Sequence, residues 1–266
     1  MVKVMLKEMR KKLLSGILPP LLVVLFVPMI ASFWPTFKDQ IAAFQELLQN
    51  PIYIAVLGQL GLGDLSSFQG FYNMYIFVVL EMVMLFITII IPARMITTEV
   101  DKRTLDVTLS YPISRWRYLL EKFGAYLIFN LLYPILMLSV TLISNKILNE
   151  EMNFVLLTYG FIGSWLLFFA LGAISLLCGA IFLEGKKAIT AAGGIIVGMW
   201  ILVRIGGIVE SVNFLKYLSL FNYLNTAIIF SEGVMPLDEL FIILGVGLVS
   251  LFSALIIFEK RELAIV

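Results

Sequence analysis

Residues 152–183 read MNFVLLTYGFIGSWLLFFALGAISLLCGAIFL, thirty-two positions without one charged side chain. A helix needs about 20 mainly apolar residues to cross the hydrocarbon core of a bilayer. The run is therefore long enough for a tilted membrane span, read over about 154–183. It sets the class of the whole chain. Of 266 residues, 61% are hydrophobic and 14% charged, where soluble domains carry roughly a quarter charged.

Working outward, five more apolar segments have spanning length. They cover about 13–34, 71–91, 118–145, 188–209 and 239–258. Without internal repeats or low-complexity linkers between them, residues 1–266 read as a single all-α transmembrane domain of six helices. The apolar stretch near the N-terminus is too long for a signal peptide's core and is followed by no small-residue cleavage site, so it reads as a retained anchor. Pro19, Pro20 and Pro134 fall inside spans, where neighbouring helices accommodate kinks. Gly193, Gly194 and Gly198 give the fifth span a small face for close helix contact.

Orientation follows from the bias of Lys and Arg toward cytoplasmic loops. With both termini in the cytosol, 15 of the 19 basic residues count to the cytoplasmic side and only Lys38, Lys146, Arg204 and Lys216 to the opposite one. This distribution favours an even number of spans and predicts a multi-pass protein of the cell membrane.

The residue inventory narrows the chemistry. There is no histidine, the commonest general base and metal ligand. The one cysteine, Cys178, lies in the longest apolar run and reads as a packing residue. Neither a disulfide nor a multi-cysteine metal site is expected, and no catalytic residue or metal ligand is assigned. A membrane-embedded enzyme would need clustered polar groups, which the spans lack.

Two polar segments stand out. Residues 1–12 form an amphipathic helix by periodicity: Val2, Met5, Leu6, Met9 and Leu13 share one face, and Lys3, Lys7, Arg10 and Lys11 the other. Such a helix lies along the membrane interface as a topology signal or as a connecting helix that docks on a cytoplasmic partner. Between spans two and three, Thr98 with Asp101 three residues on reads as a capped helix start. Leu105 and Leu109 share a face that Val100 and Thr104 continue, Pro112 stops the helix, and Ser114 caps the next. The expected product is a short, rigid, charged helix joined to two spans.

At these residues the chain resembles the ABC-2 type permeases, the membrane subunits of many ATP-binding-cassette exporters. The family pattern runs from a glutamate through Gly-Thr-Leu and a Leu-rich turn to Pro-x-Ser-Arg and a later lysine. Glu99, Thr104, Leu105, Leu109, Pro112, Ser114, Arg115 and Lys122 match it. Arg103 stands where the family has glycine, which an arginine in a helix would accommodate, and Thr108 where leucine is frequent. Residues 63–72 look like the start of the family's second span, preceded by a short helix over 39–49 that Pro51 ends.

The resemblance implies a mechanism. Two permease chains, identical or related, would pair and dock cytoplasmic ATPase subunits. Glu99, Asp101, Thr104, Leu105, Leu109, Pro112, Ser114 and Arg115 would form the coupling element that transmits closure of the ATPase to the spans. ATP and magnesium belong to that partner, since this chain has no Gly-x-x-x-x-Gly-Lys-Ser/Thr loop to cradle phosphates. No cofactor of its own and no nucleic acid are expected.

Glu81 near the middle of span two and Arg204 toward the far end of span five are candidates for the transport path or the dimer interface. Residues 217–231 are uncharged but short for a span and read as a re-entrant or interfacial hairpin on the outer face, its aromatic residues at headgroup level. A stand-alone ion-coupled carrier would account for Glu81 and Arg204, but not for the polar segment after span two.

Overall fold

The structure, a computed structural model, describes residues 3–11, 13–40, 67–73, 75, 77, 81–103, 114–224, 226, 229–230 and 233–261. Among these, all regular structure is helical. The helices are α1 (Lys3–Lys11), α2 (Leu13–Ser32), α3 (Trp34–Gln40), α4 (Phe68–Asn73), α5 (Glu81–Asp101), α6 (Arg115–Leu148), α7 (Phe154–Phe182), α8 (Gly185–Ile208) and α9 (Leu237–Lys260).

Five of these, α5 to α9, contain a segment long and apolar enough to cross a membrane. The bent pair Gly16–Ser32 and Trp34–Gln40, turning by 46°, makes six if it forms one span. Large apolar side chains such as Phe86, Ile147, Phe241 and Val249 stand exposed around the bundle. In water such a surface would be an aggregation liability; in lipid it is the solvent-matched surface. The chain is a multi-pass membrane protein.

Helix α7 is the centre. Of its most apolar window 72% is buried, against 17% for α8. Lipid tails are as apolar as leucine, so burying apolar surface does little to drive helices together, and close van der Waals packing must do so. Small residues on α7 make that contact. A Cβ on Gly179 would lie 2.7 Å from the Ala93 carbonyl oxygen of α5, an approach that only glycine allows. The helix starts cleanly: Asn153 Oδ1 accepts from the Val155 and Leu156 amides at 3.1 and 3.3 Å.

The second described span differs from the sequence expectation. Its described helix, Glu81–Asp101, runs about ten residues past the expected end near 91, because the polar residues Thr97 to Asp101 prolong it instead of starting a new one. Span three extends to Arg115 at one end and Leu148 at the other. The remaining spans lie within a few residues of their expected bounds.

At the end of the bundle away from α1, Trp34 packs against Phe37, Phe68 and Phe71. Its indole Nε1–H donates to Glu150 Oε1 at 2.8 Å, which Lys38 Nζ also approaches at 3.2 Å. After α8 the chain forms two 3-10 segments, Glu210–Leu218 and Leu220–Asn222. Leu220, Leu224 and Ile229 join the core cluster of Leu156, Leu240 and Ile243, while Phe214, Tyr217 and Leu218 point outward. The described part of 217–231 thus packs on the ends of α7 and α9; residues 225, 227, 228 and 231 of the expected hairpin lie outside the described residues.

Two outcomes test this packing. Gly179→Ala destabilises the protein by about 1–3 kcal/mol, because the backbone of α5 cannot yield to a new methyl. Gly194→Ala, with nothing within 4 Å of its Cβ position, leaves stability equal or slightly higher by thermal unfolding in detergent. At the Glu150 site, the Trp34 hydrogen bond holds the carboxyl below the usual carboxylate range; burial opposes this and Lys38 assists. A lowered folded-state pKa means that the stabilisation is complete at neutral pH and is lost as pH falls through that range and below it. Tryptophan emission therefore shifts below roughly pH 4, and Glu150→Gln removes the shift.

Candidate functional site: the ion cluster at the basic end

The end of the bundle that carries α1, the end that the charge bias assigns to the cytosol, is built around one buried lysine. Lys122, in the second turn of α6, is 4% exposed. A buried ammonium is costly unless its three donors find acceptors. Here Nζ donates to Glu99 Oε1 at 2.7 Å and to the Met95 carbonyl at 2.8 Å, both on α5. It stands 3.9 Å from Glu8 Oε1 on α1 and 4.7 Å from the centre of the Tyr118 ring. The Tyr118 hydroxyl donates to the second oxygen of Glu99. One cation thus joins α1, α5 and α6.

The neighbouring residue binds α1 a second time. Glu121 Oε2 accepts from the Val4 and Met5 amides at 3.1 and 3.3 Å, while its Oε1 accepts from Arg117 Nε at 3.1 Å. A carboxylate at the first amides of a helix satisfies donors that have no partner within the helix and complements its dipole. So α1 forms as its periodicity predicts but seats on its own bundle. Val4 packs inward against the core and Leu6, assigned to the apolar face, is half exposed.

A parallel set of contacts ties the last helix in. Ser114 sits at the start of α6 with extended backbone, but its side chain makes no capping bond. Glu259 of α9 takes that role, accepting from the Trp116 amide at 2.9 Å. Arg115 Nη1 donates to the Arg261 carbonyl at 2.7 Å. Arg261 Nη1 in turn donates to the Ala180 carbonyl at 3.1 Å and to that of Ile181, at the end of α7.

The helix start expected at Thr98 and Asp101 is a helix end. α5 runs through both, the Lys102 amide bonds to the Thr98 carbonyl, and Arg103 turns out of the helix at φ 54°. That left-handed backbone favours glycine. It is the physical reason for glycine at this position in the pattern, and it corrects the reading of Arg103 as a helical residue. Asp101 lies against the start of α8, where a Cβ on Gly185 would meet its Oδ2 at 2.8 Å. Thr104, Leu105, Leu109 and Pro112 fall outside the described residues.

The Glu and Lys at the two ends of the motif, 23 positions apart, are therefore one ion pair. It closes the base of the segment between spans two and three. The sequence profile of the family described as ABC-2 family transporter protein matches residues 2–263. The chain belongs to the ABC-2 transporter family. It is a membrane transport subunit, an ABC transporter permease. Searches of the curated proteins and of the solved structures give no significant match.

In this permease the other two candidate residues lie apart from the cluster. Glu81 is about 27 Å along the axis of α5 from Glu99, at ~1.5 Å per residue. Arg204 stacks on Trp200 at 5.2 Å and makes no ion pair with any acid whose side chain is described. The Glu81 side chain, and with it the expected pairing with Arg204, lies outside the described residues. Among the described residues no group of three or more His, Cys, Asp or Glu is placed to hold a metal ion.

Sequence reasoning missed Glu8, Tyr118, Glu121, Glu259 and Arg261. Glu8 carried a signal: it is the one acid in the basic segment 1–12. Lys122→Met is expected to destabilise the permease by about 3–5 kcal/mol, since it strands the Glu99 charge in a largely buried site. Lys122→Met combined with Glu99→Leu recovers most of that loss, read by thermal unfolding in detergent.

Proposed function

We propose that this permease belongs to an exporter powered by separate ATP-binding-cassette subunits. It works as a pair of permease chains in the cell membrane, with both termini cytosolic. ATP and magnesium act in the partner subunits. The observation that carries the reading is the Glu99–Lys122 pair, braced by Tyr118 and approached by Glu8.

The mechanical role follows from the placement of the pair. Residues 104–113 join α5 to α6, and the ion pair clamps the two helices where that segment leaves them. A push on the segment then moves α5 and α6 as one body, because separating them would expose a buried ammonium and a carboxylate to a poorly solvated gap. The clamp also draws in α1 through Glu8 and Glu121. In this proposal Leu105 and Leu109 touch the ATPase, while Glu99, Ser114 and Arg115 transmit from within. Rigid-body motion of packed helices about an interface is an established route for such switching. Glu81 and Arg204 are assigned to the transport path or the contact between permease chains.

The test is co-purification and ATPase stimulation with a cassette subunit, sought first in the neighbouring reading frames. Leu105→Asp lowers recovery of the ATPase roughly tenfold, the effect of losing a central contact, with membrane insertion unchanged. Glu99→Gln leaves recovery near native but lowers stimulation of ATP hydrolysis by the reconstituted complex. Stimulation unaffected by both changes removes this segment from the mechanism. Labelling of residues 95–115 only from the far side of the bilayer removes the ATPase coupling itself.

A further inference from the structure

We propose that a cleft between α2, α5 and α6 binds a single-chain amphiphile with an acidic head and a hydrogen-bonding group part-way along its chain. The cleft encloses about 310 Å³, the lower end of the range for small-molecule sites. Its walls are apolar, chiefly Pro20, Met84, Ile87, Ile91 and Phe129. Glu8, Arg94, Thr98 and Lys122 line its basic end. Ile90 and Arg94 are exposed as well as lining it, so it opens on the surface that faces the lipid.

Two polar groups in the cleft, Asn130 and Arg94, have no hydrogen-bond or ion-pair partner among the described residues. Asn130 is 4% exposed, and neither its Oδ1 nor its Nδ2 makes a hydrogen bond among the described residues. An amide left so in an apolar setting is destabilising, and intramembrane polar groups that persist at such a cost are functional candidates. Arg94 has no ion pair or hydrogen bond among the described residues either. The other polar groups on this face of α6 are engaged. Tyr126 donates to the Phe168 carbonyl at 3.2 Å and lies 3.3 Å from Thr88 Oγ1, and Lys122 is held by Glu99 and Met95.

The spacing defines the ligand. Asn130 is eight residues along α6 from Lys122, about 12 Å deeper at ~1.5 Å per residue. A plain acyl chain would satisfy Arg94 with its head but leave Asn130 unpaired. A hydroxyl or amide in the chain pairs with Asn130 as donor, acceptor or both. The inference concerns binding to this chain alone and stands independently of ATPase coupling.

The test uses the full chain in nanodiscs of zwitterionic lipid, with radiolabelled 12-hydroxystearate, stearate and the methyl ester of 12-hydroxystearate as probes. In the native protein 12-hydroxystearate binds roughly tenfold tighter than stearate, and its methyl ester roughly tenfold weaker than the acid. Asn130→Leu abolishes the preference for the hydroxyl and leaves stearate binding unchanged. Arg94→Gln abolishes the preference for the acid and keeps that for the hydroxyl. Equal binding of the two acids by the native protein, a hydroxyl preference that survives Asn130→Leu, or no saturable binding overturns the proposal. Should Asn130→Leu fail to fold, the comparison of acid with ester in Arg94→Gln, a change at an exposed residue, decides. An acid preference unchanged there means that Arg94 serves only the surrounding headgroups, and the proposal fails.

Discussion

A lysine ammonium with only 4% of its residue surface exposed cannot be left without acceptors in an apolar bundle, and the architecture around Lys122 supplies them from two directions. α5 gives a carboxylate and a main-chain carbonyl; α1 adds a second carboxylate at longer range. Each is useful only if the helices carrying it hold their place. The cost of an unpaired buried charge thus becomes a constraint on helix position. Close packing, as of Gly179 on the Ala93 backbone, registers α7 against α5. The ion pair adds registration between α5, α6 and α1.

The rest of the basic end follows the same logic with backbone groups. Helix ends leave four amides or four carbonyls without internal partners. Glu121 serves the start of α1, Glu259 the start of α6, and Arg261 the end of α7. Each of these charges comes from another helix. The helix termini are therefore coupled to one another, and the segment after α5 emerges from a stiff base. The opposite end is held by aromatic contacts about Trp34 and by the 3-10 cap, so the two ends of the bundle differ in kind as well as in charge.

At Arg103 the local sequence misleads. Arginine is a good helix former, and the charged stretch around it reads as one helix. Yet the backbone there is left-handed, which ends α5 and separates Glu99 and Asp101 from the residues that follow. Glu99 and Asp101 close α5, and the two described flanks of the motif are clamped together by the Glu99–Lys122 pair.

From the chain's own residues, the class and most of the membrane-spanning helices could be read, because uncharged runs near 20 residues have few alternatives. Family resemblance was legible in Glu99, Pro112, Ser114, Arg115 and Lys122, since a motif survives as local spacing. What the tertiary structure alone decided is which charges meet. Glu8, Glu99 and Lys122 lie on three helices; the pairing of Glu99 with Lys122 depends on helix rotation and depth, which periodicity in a uniformly apolar span does not encode. The same holds for the cleft above them. Asn130 is one polar residue in a long apolar run by sequence, and only the arrangement of α2, α5 and α6 around it turns it into the deep end of a binding site.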